Sequence, residues 1–399
     1  MSVTLPVYLD NHATTKPDPE VVEAMLPYLR ERYGNASSSQ HEFGWVADAA
    51  IGVAREQVAL LIGATAAEIV FSSGATESIN LALKGVAAAS PRRRIITVAS
   101  EHRAVLDTCR TLNDAGYDVV VLPVDSDGLV SVRDLEDALT ADTIMVSVMM
   151  ANNEVGTIAP VAEIGALCRS RGVLFHTDAT QAAGKIPLDV RSMNIDLLSL
   201  SAHKMHGVKG AGALYVRRGS PQISIVPQID GGGHERGLRS GTLNVPAVVA
   251  FGKAAELARE RLRGDAERMR ALRDMLLREL KSRLEGVHLN GHPVLRLPNN
   301  ANLSFEGVTA DRLMMEMKDV AVSTGSACSS ASPEPSHVLR ALGLSRAQLL
   351  SSVRFGLSRW TTEEEIRYVA RRVVESVGRL RERILAGVVA NGTTRGGER

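Results

Sequence analysis

Short apolar runs alternate with helix-like segments through the first half of the chain. The runs are rich in Val, Ile, Leu or Met, and they predict seven β-strands at 68–72, 94–99, 118–124, 143–150, 173–178, 197–201 and 211–216. Segments with helical spacing, such as 77–87 and 161–170, separate most of these strands. The alternation indicates βαβ units, and therefore an α/β fold with a mainly parallel seven-stranded sheet that is covered on both faces.

The pattern changes from about residue 253 onward. Leucine and methionine side chains recur there at helical spacing among many arginines and glutamates, which predicts a long amphipathic helix over 253–286, with a break near Gly264 left open. Strand-like pieces at 302–305 and 352–356 and a final helix at 362–385 follow. The pattern from about residue 253 onward predicts a second, smaller α+β domain.

Composition and charge exclude several classes of protein. The chain has 399 residues and a formal net charge of +1, which argues against a strongly basic nucleic-acid binder. Aromatic residues make up 4%, too few for a surface that stacks single-stranded bases. We see no secretory signal, no apolar run of the roughly 20 residues that span a bilayer, and too few cysteines for a disulfide framework. We therefore expect a cytoplasmic protein that binds neither DNA nor a membrane.

Polar side chains follow several of the predicted strands, at the edge where α/β sheets bind ligands. After the first strand, Ala75 and Thr76 begin a helix whose free N–H groups suit a phosphate. Asp178 ends the fifth strand, and Lys204 follows the sixth. Each feature alone is ordinary, a helix cap or a solvated lysine. Together they match the needs of pyridoxal phosphate: a Schiff-base lysine, a carboxylate for the ring nitrogen and a phosphate cup.

The three cysteines differ in their surroundings. Cys109 and Cys168 have apolar neighbours at helical spacing, which indicates core positions. Cys328 lies in a segment of Gly, Ser, Ala and Thr, and such a segment predicts an exposed loop. An exposed thiol in a reducing compartment is a liability unless it is used, so we favour a reactive Cys328 over an incidental one.

Many segments of the chain together resemble a known family. They are LDNHATT (9–15), SSGATES (72–78), EHRAVLDTCR (101–110), NNEVG (152–156), HTDATQ (176–181), SAHK (201–204), GGGHERGLRSGT (231–242), STGSACSS (323–330) and SSVRFGLSRWTTEEE (351–365). In this order and spacing they resemble the cysteine desulfurases of the NifS/IscS type, from about Tyr8 to about Arg383. The resemblance implies a dimeric pyridoxal-phosphate enzyme of the aminotransferase-like fold, fold type I, that converts L-cysteine to L-alanine.

The resemblance also assigns roles to individual residues. Lys204 would carry the Schiff base and remove the substrate proton, His102 would stack on the cofactor ring and move protons, and Cys328 would accept sulfur as a persulfide. Asp178 would pair with the ring nitrogen, and Arg354, assisted by Asn35, would bind the substrate carboxylate. Asn153 and Gln181 would contact the region of the ring oxygen, and the other cofactor contacts would be Ala75, Thr76, Ser201, His203 and, from the neighbouring subunit, Thr242. A sulfur-acceptor protein, such as an iron–sulfur scaffold, would be the partner.

These expectations give a domain plan. An N-terminal arm, 1–15, would join the small domain; 16–260 would form the large cofactor-binding domain; 261–385 would form the small domain with the Cys328 loop; and 386–399 would be a disordered tail. Ile79, His206, Val208 and Ala36 depart from the family pattern, but none of these departures removes a catalytic group.

Other functions stay open at this point. One is a selenocysteine lyase, or another pyridoxal-phosphate enzyme of the same fold. A second is a non-catalytic scaffold for sulfur transfer. A resident metal site is the weakest, since the chain has no Cys-x-x-Cys or His-Glu-x-x-His spacing, although Cys328 would be able to ligate an iron–sulfur cluster in transit.

Overall fold

The computed structural model describes residues 3–324 and 336–393. Its strands are β1 (Val7–Tyr8), β2 (Ile69–Ser72), β3 (Arg94–Val98), β4 (Asp118–Leu122), β5 (Thr143–Ser147), β6 (Leu174–Asp178), β7 (Leu197–Ser201), β8 (Gly212–Val216), β9 (Val287–Leu289), β10 (Asn300–Phe305), β11 (Val320–Ala321) and β12 (Ser352–Gly356). Its α-helices are α1 (Pro19–Arg30), α2 (Glu42–Leu61), α3 (Ala75–Ala89), α4 (Arg103–Asp114), α5 (Val132–Ala138), α6 (Val161–Arg171), α7 (Val245–Lys281), α8 (Ala310–Glu316), α9 (His337–Ala341), α10 (Arg346–Ser351) and α11 (Glu363–Thr393).

The seven predicted strands are confirmed, and they form a single sheet in the order β2-β8-β7-β6-β5-β3-β4. All neighbours are parallel except β8, which is antiparallel to both β2 and β7. The segment between β7 and β8 is too short to hold a crossover helix, and a parallel connection needs one. The sheet is therefore mixed but mainly parallel, as the sequence pattern predicts.

Both faces of this sheet are buried. Adjacent residues of β2, Val70 and Phe71, belong to different hydrophobic clusters, and so do Ile95 and Ile96 of β3. Because successive side chains of a strand point to opposite faces, each face has its own helical cover. The carboxyl ends of the strands remain the accessible edge.

A second core lies around the three-stranded antiparallel sheet β12-β10-β9. Phe305, Phe355 and Val373 are fully buried there. The N-terminal segment reaches this part of the molecule, since β1 pairs in parallel with β11. The described residues therefore form two main cores, and the division of the chain into domains stays a prediction.

Two helices run further than the sequence suggests. α7 is continuous over 37 residues, so no break occurs at Gly264. A Cβ placed on Gly264 would touch nothing within 4 Å, which indicates an exposed helix position where glycine costs about 1 kcal/mol without ending the helix. α11 continues to Thr393, past the predicted start of the tail at 386, because no proline interrupts it. Among the described residues, no helix is long and apolar enough to cross a membrane.

Candidate functional site

A cavity of about 390 Å³ opens at the carboxyl edge of the large sheet. Ten of the residues singled out in the sequence line it: Ala75, Thr76, His102, Asn153, Asp178, Gln181, Ser201, His203, Lys204 and Arg354. They come from loops and helix starts that follow β2, β3, β5, β6 and β7, and from β12 in the second core. The structure therefore brings together groups that lie up to 279 positions apart, from Ala75 to Arg354.

One end of the cavity is built around the start of α3. The helix begins at Ala75, and its first N–H groups have no partner within the helix, so they and the Thr76 hydroxyl suit an anion. A Cβ on Gly212 would lie 2.5 Å from Gly74 Cα, which shows how closely β8 approaches the loop before α3. Ser201 and His203 line the same cavity from the end of β7. Burial and the nearby Lys204 lower the pKa of His203 to about 4, so this ring is neutral at ordinary pH.

Lys204 ends a short 3-10 turn, Ala202–Lys204, directly after β7. Its amine donates hydrogen bonds to the carbonyl oxygens of His12 and Ala13 at 2.6 and 2.7 Å. The turn is attached to the same N-terminal segment, because Thr15 Oγ1 donates to the His203 carbonyl oxygen at 2.9 Å. These two backbone oxygens hold the lysine at the cavity wall, and neither of the two belongs to a carboxylate.

Asp178 and His102 occupy the next part of the wall. Asp178 is the last residue of β6, is buried, and accepts a hydrogen bond from Thr180 N at 2.9 Å. His102 caps α4, and its Nδ1 accepts from Ala104 N at 3.1 Å, which fixes the ring orientation. The neighbouring Glu101 is fully buried, and burial and the Asp178 charge hold the pKa of Glu101 well above its usual range.

Arg354 brings a positive charge from β12 into the cavity. Its Nη1 donates to the Asn153 carbonyl oxygen at 2.9 Å, and its Nη2 forms an ion pair with Asp10 at 2.7 Å. The side chain is 3% exposed. Its buried Nε has no hydrogen-bond partner among the described residues.

Two of the predicted residues are not on this wall. Asn35 and Thr242 are exposed and do not line the cavity within this chain. Cys328 lies in 325–335, outside the described residues. The other two cysteines are buried as expected, and burial raises the pKa of both Cys109 and Cys168 to about 12.

The sequence analysis missed several residues of the wall. His12, Met149 and Lys209 line the cavity without having been singled out. His12 lies within the LDNHATT segment, so the resemblance marked its neighbourhood but gave it no role. Ile79, one of the departures from the family pattern, also faces the cavity. The described residues contain no cluster of His, Cys, Asp or Glu side chains suited to a metal ion.

Comparison with known proteins agrees with this geometry. A family model described as aminotransferase class-V matches residues 7–369. A protein named cysteine desulfurase IscS from Anaeromyxobacter sp. (strain Fw109-5) is 55% identical over 380 residues, which cover 95% of this chain and 94% of that protein.

Two solved structures extend the comparison to the fold. A NIFS-like protein is 40% identical, with a TM-score of 0.87 over 93% of this chain and 99% of that one. A structure titled SspA in complex with cysteine is 36% identical, with a TM-score of 0.80 over 89% of this chain and 100% of that one.

Proposed function

The chain belongs to the class-V aminotransferase family and is a pyridoxal-phosphate-dependent cysteine desulfurase, and from this premise we propose which residues carry the reaction. The observation that carries the assignment is the single cavity that brings Lys204, Asp178, His102 and Arg354 together at the edge of the sheet. Each of these side chains supplies a different group that a reaction of an amino-acid substrate needs.

The cavity fits pyridoxal phosphate. An amine, a buried carboxylate and a helix N-terminus lie along one wall, which corresponds to the aldehyde, the ring nitrogen and the phosphate of that group. Asn153 Oδ1 and Thr180 Oγ1 are buried at the cavity and have no partner among the described residues, so a polar ligand there would satisfy them. Lys204, Asp178, Thr76, Ser201 and the flanking residues named above would hold it. When bound, it supplies an electron sink for the substrate carbanion.

Lys204 is the base of the reaction. Lys204 would hold the cofactor through its amine, and with an amino-acid substrate bound the free amine would remove the proton from Cα. The His12 and Ala13 carbonyl oxygens accept hydrogen bonds from this amine and keep it at the wall. Because the turn that carries Lys204 is fixed to the N-terminal segment, the amine returns to the same place after each catalytic cycle.

Asp178 stabilises positive charge on the ring nitrogen, because it is a buried carboxylate at the end of a strand. His102 would stack on the ring and would carry protons to and from the substrate. Its Nδ1 is committed to the helix cap, so Nε2 is the atom that exchanges protons with the substrate.

Arg354 binds the substrate carboxylate. Arginine presents parallel N–H groups that match a carboxylate bidentately, and this side chain reaches the cavity from the second core. We propose that Asn35 assists it.

Cys328 accepts the sulfur. Its thiolate attacks the sulfur of the substrate: the new S–S bond forms as the C–S bond breaks, and the electron pair of that bond stays with the substrate carbon. Protonation of this carbon and return to Cα of the proton that Lys204 removed give L-alanine, and Cys328 keeps the sulfur as a persulfide. Cys109 and Cys168 are unsuited to this step, because burial holds both thiols protonated.

We further propose a homodimer. Leu29, Tyr33, Phe43 and Trp45 are each more than half exposed, and they cluster near the ends of α1 and α2. An exposed apolar patch of this kind is typical of an interface. A second copy docked there supports a role for Thr242 at the partner's cofactor, which explains why Thr242 does not line the cavity of its own chain.

The persulfide on Cys328 then passes to an acceptor. We propose a protein acceptor of the iron–sulfur cluster assembly type, reached in the cytoplasm. The cysteine content and the presence of a thiolate nucleophile suit a reducing compartment.

The test is a product assay on the purified holoenzyme with L-cysteine and dithiothreitol. We expect alanine and sulfide in equal amounts from the wild type, a near-complete loss in Cys328→Ser, and no loss in the control Cys109→Ala. If no alanine forms although the cofactor chromophore is bound, the desulfurase assignment is wrong. Alanine from L-selenocysteine alone would identify a selenocysteine lyase, and no product from either would favour a non-catalytic scaffold.

A further inference from the structure

His12 links three distant parts of the chain at the wall of the cavity. It is 1% exposed and lies in the segment that follows β1. One ring nitrogen contacts Gln181, which follows β6, and the other contacts Asn300, the first residue of β10. Nothing in the sequence pattern or the assigned roles accounts for this residue.

The direction of these hydrogen bonds is set at one end by an arginine. Arg296 Nη2 donates to Asn300 Oδ1 at 3.2 Å, and a guanidinium only donates. The amide oxygen of Asn300 is therefore the atom that faces Arg296. Its amide nitrogen faces the other way and donates to His12 Nε2 at 3.2 Å and to the Glu154 carbonyl oxygen at 3.1 Å.

The acceptor role of His12 Nε2 determines the tautomer of the ring. A neutral imidazole that accepts at one nitrogen carries its proton on the other, so Nδ1 is the donor. Nδ1 lies 2.9 Å from Gln181 Oε1 and donates to it. Burial and the charges of Arg354, Lys185 and Lys204 hold the pKa of His12 well below its usual range, which is consistent with a neutral ring.

The amide nitrogen of Gln181 confirms that Nδ1 of His12 donates to the amide oxygen. Its Nε2 donates to the His12 carbonyl oxygen at 3.0 Å, and a carbonyl oxygen only accepts. Both polar atoms of the Gln181 amide are thus bound to one residue, His12. Among the described residues the amide keeps one N–H for the cavity, while its oxygen is already used.

We propose that His12 is a positioning residue that, through a relay Arg296–Asn300–His12–Gln181, forces Gln181 to present an N–H donor to the cavity. This inference rests on the proposed function, because the resemblance places the ring oxygen of the cofactor beside Gln181. An N–H donor stabilises that oxygen as an anion, whereas an amide oxygen in the same place would repel it. Asn300 and Arg296 do not line the cavity, so any effect that they have on it passes through His12 and Gln181.

The test compares two substitutions that differ in one donor. His12→Leu removes the donor, whereas the amide nitrogen of His12→Asn occupies nearly the place of Nδ1 and keeps it. The matched control is His288→Leu, which changes an exposed histidine of β9 away from the cavity. Each holoenzyme is examined without cysteine, by its visible absorption spectrum at one fixed pH and by its dissociation constant for pyridoxal phosphate.

We expect His12→Leu to shift absorbance from the long-wavelength band to the near-ultraviolet band and to weaken cofactor binding about 5- to 10-fold, the loss of one hydrogen bond. His12→Asn is expected to retain most of the wild-type spectrum, and the control all of it. A wild-type spectrum in folded His12→Leu would overturn the proposal, and so would an equal shift in His12→Asn.

A second variant protects the test against a failure to fold. Asn300→Ala leaves the ring in place but removes the donor that fixes its tautomer, so we expect a smaller shift in the same direction. An unchanged spectrum in Asn300→Ala would contradict the relay. Because these spectra need no turnover, a holoenzyme that forms no alanine would refute the proposed function and still report on the relay.

Discussion

Arg354 forms an ion pair with Asp10, 344 positions earlier, over 2.7 Å between Nη2 and Oδ1. The two residues belong to different segments, β12 and the stretch after β1, which meet at the Asp10–Gly356 bridge. Nη1 is held as well, by the Asn153 carbonyl oxygen at 2.9 Å. The guanidinium is therefore oriented from two sides before any substrate arrives, and this lowers the entropy cost of binding a carboxylate.

The first prediction concerns this orientation. Arg354→Lys keeps the charge but loses the planar fork, so we expect kcat/KM for L-cysteine to fall about 10- to 100-fold, mainly through a higher KM. Steady-state kinetics of alanine release measure the effect. Asp10→Asn is the control, since its amide oxygen still accepts from Nη2, and we expect it to change KM only a few-fold. An unchanged KM in Arg354→Lys would contradict the assigned role.

The second prediction concerns the thiols. Burial raises the pKa of Cys109 and Cys168 to about 12, and both side chains are inaccessible, so we expect neither to react with iodoacetamide in the native holoenzyme. Cys328 is expected to be labelled, and peptide mass spectrometry identifies the site. Cys328→Ser should take up no label until the protein is unfolded. Rapid labelling of Cys109 in the native state would remove the argument for Cys328 as the nucleophile.

The third prediction concerns the apolar patch on α1 and α2. Trp45→Asp places a charge among side chains that we expect to be buried between two copies, so we expect a shift from dimer to monomer in light scattering coupled to size exclusion. Val294→Asp is the control, because Val294 is also strongly exposed but lies in another part of the surface. A dimer that survives Trp45→Asp would place the interface elsewhere.

The fourth prediction concerns pH and the buried His176. Its Nδ1 and Nε2 contact Ser147 and Ser199, and burial lowers its pKa to about 3. The unfolded chain binds a proton at this residue near its ordinary pKa of about 6.5. Between these two values the unfolded state holds more protons, so the free energy of unfolding falls as the pH drops toward 3, by at most about 1.4 kcal/mol per pH unit.

Urea denaturation of the holoenzyme at several pH values between about 4.5 and 7 tests this. His176→Met is expected to be less stable at neutral pH but to lose less stability on acidification. Ser199→Ala removes a partner of His176 without removing the titrating ring, and should keep the wild-type slope. Equal slopes in wild type and His176→Met would show that other groups govern the acid response.

The sheet was predictable because the sequences of parallel strands that are buried on both faces are continuous apolar runs. All seven runs became strands, and the polar residues at their ends, such as Asp178 and Lys204, meet in one cavity. The direction of β8 was not predictable from the runs themselves. It follows from the connection between β7 and β8, which is too short for the crossover helix that a parallel pair needs.

The site residues that lie near the second core were harder to predict from the sequence. Arg354 was found only through the resemblance, and His12 had no signal of its own. The His12–Gln181 contact spans 169 positions, and the Asn300–His12 contact spans 288. No local periodicity reports contacts of this range, since they depend on how the N-terminal segment crosses between the two cores. Roles for Asn35, Thr242 and Cys328 stay predictions.

The continuity of α7 has a mechanical consequence. A helix of 37 residues is about 55 Å long, and its two ends are embedded in different bodies: Phe251 and Leu257 in the first core, Leu276 and Leu280 in the second. Because α7 has no break, a rotation of one core is transmitted along the helix to the other core and is not taken up by a flexible connection. The helix therefore limits how far the two cores turn relative to each other, and with them Lys204 at the end of β7 and Arg354 on β12.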